Sequence, residues 1–248
     1  MNNLARHGVI ASSRGSGSTL KDGLISYWAL DEASGTRADS HTANSFDLTD
    51  VNTVLSGTGA VYATCADMER TNSEGLTHAD NDAFSPSSLT ITAWVKFESF
   101  PGGANITSIF SKDDYALTAT REWNLYYSDS DNKLKFIVFY GSSFFSADTA
   151  ANSLSLATWY FLVARHDQGT GVNLSIDNGT PITSAGNHTM NSSTAPLAVG
   201  GIHNGGVLAP AFGFDGLIGP VSMYNRSITD SEVTLLHNSG TGLKYSEL

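Results

Sequence analysis

The chain has 248 residues, enough for one large domain or two small ones, and all-β sandwiches reach this length as a single unit. Hydrophobic residues make up 40% and charged residues only 15%, with Ser, Thr, Asn and Gly filling much of the rest, which suits short strands joined by turns and excludes a helical bundle. Twenty-four acidic against 13 basic residues give a net charge of -11, which repels a phosphate backbone, and no stretch approaches the roughly 20 apolar residues of a membrane helix.

Residues 1–22 read as an N-terminal arm and linker. A short apolar patch, "GVIASS", leads into "RGSGST", a flexible Gly/Ser connection. No 7 to 15 residue apolar core of a secretory signal is present, so the chain reads as made and folded in a cytoplasm, and its six Asn-x-Ser/Thr triplets follow from composition. Leu4, Val9 and Ile10 are the arm's candidates for burial against a neighbour; three such side chains contribute roughly 5 kcal/mol before ordering costs.

From Gly23 the chain turns into a β pattern. "GLISYWALDEASGTRADS" sets an apolar run against Asp31, Glu32 and Asp39, with Gly35 in the turn. Asp31 and Glu32 are adjacent, so in a strand they point to opposite faces and make a poor catalytic pair. The lone Cys65, inside "AVYATCA", reads as a small buried hydrophobe.

"LTITAWVKF" alternates with period two, Leu89, Ile91, Ala93, Val95 and Phe97 on one face and Thr90, Thr92, Trp94 and Lys96 on the other, the pattern of a half-buried strand. "WNLYY" puts Trp123 and Tyr127 on one face and Tyr126 on the opposite one. "KLKFIVF" alternates as well, and its Lys133 and Lys135 are the nearest thing to a basic cluster. In "FYGSSFFSAD", Phe144 and Phe145 are consecutive, so only one can face the core; the other anchors a sugar, a neighbouring subunit or a covering loop.

"WYFLVARHD" is more continuously apolar, as expected of a central strand covered on both faces. Between "VNLSI" and "TPITS", Asn178-Gly179 predicts a tight type I′ hairpin turn. In "SITDSEVTLLHNSG", Thr229 and Glu232 form a T-x-x-E capping box, Val233 and Leu236 an apolar stripe, and Gly240 a stop, which predicts one short helix. The fold class is therefore all-β: an antiparallel two-sheet sandwich over 23–248 with one short C-terminal helix and an N-terminal arm.

The order and spacing of "GLISYWALDEASG", "LTITAWVKF", "WNLYYSDSDNKLKFIVF", "ATWYFLVARHDQGTGVNLSIDNGTPI" and "FDGLIGPVSMYNRSITDSEVTLLHNSG" resemble the laminin-G-like, or concanavalin A-like, jelly-roll superfamily over about residues 23–242. The resemblance implies a sandwich and no particular reaction. Its catalytic members carry alternating Glu-x-Asp-x-Glu on one strand, absent here, and the His residues show neither zinc spacing nor a nucleophile elbow partner, so the expectation is a non-enzyme.

The resemblance also implies a structural Ca²⁺ held by Asp39 with Ser40 or Asn44; relatives have an acidic pair where this chain has Gly219-Pro220, and the alternative is that Asp39 and Asn44 bond the turn backbone. Sugar stacking needs exposed rings; Trp123, Tyr126, Tyr127, Tyr140, Phe144 and Phe145 are the candidates, whereas Trp28, Trp94 and Trp159 read as core. Two functions follow. One is a structural or interaction protein of a virus particle, a capsid decoration or tail component made in the host cytoplasm, because "LARHGVIASS" resembles the leader of some tailed-phage virion proteins; its partners are other virion proteins or copies of itself. The other is an extracellular carbohydrate-binding adhesion module; neither reading involves nucleic acid or membrane insertion.

Overall fold

The structure, a computed structural model, describes residues 19–41, 46–102 and 105–248. Its strands are β1 (Leu24–Trp28), β2 (Thr49–Val51), β3 (Leu55–Thr58), β4 (Thr64–Met68), β5 (Gly75–His78) and β6 (Leu89–Phe97). Then follow β7 (Ile106–Lys112), β8 (Trp123–Ser128), β9 (Lys133–Tyr140), β10 (Ser143–Asp148), β11 (Trp159–Asp167) and β12 (Gly171–Ile176). The last are β13 (Ile182–Ala185), β14 (Leu197–Val199), β15 (His203–Asn204), β16 (Val207–Leu208) and β17 (Gly216–Tyr224), before helix α1 (Asp230–His237).

One sheet runs β13-β12-β11-β6-β17-β4-β3, with β1 also paired to β17; the other runs β10-β9-β8-β7-β14-β5-β2. Neighbouring strands in both are antiparallel. The two sheets close on a common core that takes Ile91, Val95 and Phe97 from β6, Trp123 and Leu125 from β8, and Phe136 and Val138 from β9. The two-sheet sandwich, the helix and the central position of β11 are as the sequence indicates.

Strand β6 departs from the half-buried reading. Its second face is buried too, because Trp94 joins Leu20, Tyr27, Phe161, Val233 and Leu236 in a second apolar cluster outside the sheet. There α1 and the chain ends cover the pleat, and His237 stacks on Trp94 at 6.0 Å. The segment Thr19–Lys21, read with the arm, is part of this cluster through Leu20, which is 3% exposed. Leu20 thus packs with the sandwich, although the sequence pattern places it in the arm. Leu4, Val9 and Ile10 lie outside the described residues.

Gly219-Pro220 occupies the bulge of β17. The register to β6 shifts between Ile218 and Val221, and there β17 stops pairing with β4 and starts pairing with β1. Proline has no N–H to give a ladder, so the bulge is where it fits. The capping box of α1 forms as predicted, but the stop is Asn238 in the left-handed region (φ 47), two residues before Gly240. The 177–179 turn also shifts by one residue: Asp177 and Asn178 hold the positive φ angles and Gly179 N–H closes the turn on Ile176 O at 2.8 Å.

Candidate functional site

The opening acidic turn is architectural. Arg37 is buried beneath it and donates to Gly35 O (2.7 Å) and Val54 O (2.8 Å), while Glu32 accepts from Ala38 N–H at 2.7 Å. Trp28 is core and its ring N–H reaches Phe46 O at 2.7 Å. Asp39 Oδ1 accepts from the backbone N–H of Tyr27 (3.2 Å) and His41 (2.9 Å); Oδ2 accepts from Phe46 N–H and Ser26 Oγ, both at 3.4 Å. A carboxylate offers about four lone-pair directions, and four donors take them. Among the described residues Asp39 caps the turn backbone; Ser40 gives its N–H to Tyr27 O, and Asn44 lies outside the described residues.

Of the six aromatic candidates, two are in the core. Trp123 is fully buried, edge-on to Phe110 at 5.2 Å, and Tyr127 is 3% exposed and stacked on Phe100 at 4.3 Å. They share a face of β8, as the alternation indicates, and that face is the inner one. Phe145 also packs on the core, beside Tyr140, whose ring stacks on His188 at 3.8 Å. Trp159 is partly buried against the second cluster.

Tyr126 and Phe144 come together on the outer face of the seven-stranded sheet. Alternation on β8 turns Asn124 and Tyr126 outward; on β9 it turns out Ile137 and Phe139, and on β10 Phe144. The register sets Asn124 opposite Ile137 and Phe139 opposite Phe144, so these side chains meet across strands. They line a hollow of about 350 Å³, closed at its sides by Ile106, Tyr115 and Arg121 and by the Gly141-Ser142 turn. Phe144 is 58% exposed at its mouth.

Two polar arrangements hold this hollow. Arg121 lies 4.1 Å over the Phe139 ring and 4.9 Å over that of Tyr115, and its fork is fixed by both oxygens of buried Asp113, at 2.9 Å each. Burial raises the Asp113 pKa while Arg121 opposes the rise; burial also raises that of Tyr126. Asn191 ties the rim, donating to Arg121 O (3.0 Å) and Gly141 O (3.2 Å) and accepting from Gly141 N–H at 2.7 Å.

At the floor, Asn124 is 1% exposed, accepts from Ser108 Oγ at 2.7 Å, and leaves its Nδ2 without a partner among the described residues. Asn124, Arg121 and Phe139 escape a search for exposed rings. The signal for Asn124 was present in "WNLYY", where it shares a face with Tyr126; the signal for the rim was "YGSS", a two-residue turn with Gly141 at φ 55.

The fold is a two-sheet antiparallel sandwich with an aromatic hollow on one outer face. The family described as the concanavalin A-like lectin/glucanases superfamily, Laminin_G_3, matches residues 70–234, and the chain belongs to it. No curated protein sequence matches the chain. Among solved structures, domain 4 of AbnA, a GH43 extracellular arabinanase from Geobacillus stearothermophilus in complex with arabinotriose, superposes with TM-score 0.64 at 18% identity, over 85% of this chain and 96% of that one.

The binding domain of Paraclostridial Mosquitocidal Protein 1 gives 0.68 at 16%, over 89% of this chain and 53% of that one. Trypanosoma rangeli sialidase in complex with sialic acid gives 0.57 at 16%, over 90% of this chain and 34% of that one. The chain thus spans about half of the former and a third of the latter. These likenesses show the fold.

Proposed function

We propose that the chain is a non-catalytic carbohydrate-binding module that holds a surface glycan in the hollow over β8, β9 and β10. The observation that carries the reading is the hollow itself: exposed Phe144 with Tyr126 and Phe139 around an unpaired buried amide. Aromatic faces pack on the C–H face of a sugar ring, and a small number of placed polar groups then fix orientation. Its volume is at the low end of the roughly 300–1,000 Å³ of small-molecule sites, room for a single ring and its substituents. A glycan location outside the cell follows, and no helix among the described residues is long and apolar enough to cross a membrane.

Hydrolysis by paired carboxylates is not supported at this place, since the lining holds no Asp, Glu, His or Cys. The similar arabinanase domain was solved with arabinotriose, which supports sugar binding by this fold. The test is a glycan array followed by calorimetry on the wild type, Phe144→Ala and Tyr126→Ala. We expect at least one glycan to bind and Phe144→Ala to weaken it about tenfold, some 1.4 kcal/mol. No binding to any glycan, or binding by both variants as tight as the wild type's, rules the reading out. The alternative, a virion component, draws on the same fold and on "LARHGVIASS", a segment outside the described residues.

A further inference from the structure

The geometry points to an acetamido group as the substituent this hollow selects: an N-acetylated sugar whose amide pairs with Asn124 while its methyl rests on Ile137 and Phe139. The inference rests on the glycan-binding reading and names what that glycan carries. Asn124 is 1% exposed, its Nδ2 has no partner, and it lines the hollow. A buried donor left unpaired is costly, so the favoured ligand is one that supplies an acceptor at that depth.

The surroundings narrow the acceptor's chemistry. Beside the amide stand Ile137, its cross-strand partner, and Phe139, two residues further along the same strand, and both line the hollow. A sugar hydroxyl sent to this floor would exchange its several water partners for a single amide, losing more than it gains. A carboxylate or sulfate needs uncommitted positive charge, but the charge of Arg121 is offset by buried Asp113, whose two oxygens its Nε and Nη2 bind. Lys135, on the same face, is paired with Asp131 at 2.6 Å and Asp148 at 3.3 Å.

An acetamido group meets both demands. Its carbonyl oxygen accepts from the Asn124 amide, and its methyl replaces water over the apolar wall. The Ser108 hydroxyl that fixes Asn124 either donates or accepts, so the amide can turn either end toward the ligand. An acetamido edge, carrying both C=O and N–H, pairs with either end. The pyranose ring then lies outward against Phe144 and Tyr126.

The experiment compares the methyl glycosides of N-acetylglucosamine, N-acetylgalactosamine and N-acetylmannosamine with those of glucose, galactose and mannose, by calorimetry and saturation-transfer NMR on the full chain. At least one acetylated sugar should bind ten times more tightly than its parent, with the strongest saturation on the acetyl methyl. Asn124→Ala should bring that affinity down to the parent's, while circular dichroism shows the fold retained. Equal affinity of acetylated and parent sugars in the wild type overturns the inference without recourse to any variant. If the glycan array shows ligands that depend on Phe144 yet acetylation brings no gain, the glycan reading stands and the acetamido assignment falls. Absence of all glycan binding removes both.

Discussion

The Glu232 carboxylate accepts two hydrogen bonds from Arg226, at 2.6 and 2.9 Å, and one from the Thr229 N–H at 2.8 Å, and these pull its pKa down to about 2 from 4.5. A pKa lowered by folding stabilises the native state fully above the unfolded value and loses that stabilisation as pH falls through the folded one. About 3 kcal/mol is therefore present at neutral pH and disappears between roughly pH 4.5 and 2. Glu232→Gln should unfold at lower temperature than the wild type at pH 7, and the gap should close as the pH is taken down that range. A gap independent of pH would mean that the charge contributes nothing. The cap half of this device was legible as T-x-x-E because Thr229 and Glu232 lie on one helical turn, whereas Arg226, the larger cause, precedes the motif and carries no such signal. Asn124 was not, because alternation assigns a residue to a face of its strand, and only sheet pairing decides which face meets the other sheet. The same ambiguity put Trp123 and Tyr127 among the exposed rings. Cys65 was legible from its apolar surroundings; burial pushes its thiol up to about 12.

At the scale of elements, the β12–β13 turn shows a side chain overriding a dipeptide signal. Asn178-Gly179 marks the hairpin, but the Asp177 carboxylate accepts from Phe161 N–H at 2.8 Å, which fixes Asp177 and Asn178 as the two left-handed positions. Asp177→Ala puts a residue with no local polar partner at φ 50 and removes the bond, together about 2–3 kcal/mol. Asp177→Asn retains an acceptor and tolerance of that conformation, so it should stay near the wild type. Urea unfolding of both variants decides this; equal losses would assign the effect to charge. The double burial of β6 was illegible for a related reason. Its Thr90, Thr92, Trp94 and Lys96 face reads as solvent-facing until α1, which starts 134 residues after Lys96, is laid across it. Long-range cover is a property of topology, and alternation within one strand carries no record of it.

For the whole molecule, the question is where the sandwich begins, since an assembly role for the N-terminus can be tested only on a truncation that leaves the fold intact. Leu20 is buried with Trp94 and Leu236, Lys21 lies 4.2 Å over the Tyr245 ring, and Asp22 O accepts from Arg226 Nε at 2.7 Å. A chain starting at Gly23 loses all three, about 2–3 kcal/mol for the leucine and the hydrogen bond. In a domain of this size that lowers Tm by roughly 5–10 °C. A chain starting at Thr19 should melt with the full-length protein; if the Gly23 start does so as well, residues 19–22 are dispensable and the domain boundary moves back. With the Thr19 start as the reference, light scattering separates the two functions. An oligomeric full chain beside a monomeric 19–248 assigns assembly to residues 1–18 and favours the particle component, whereas two monomers leave the hollow over β8 to β10 as the surface through which this protein meets its partner.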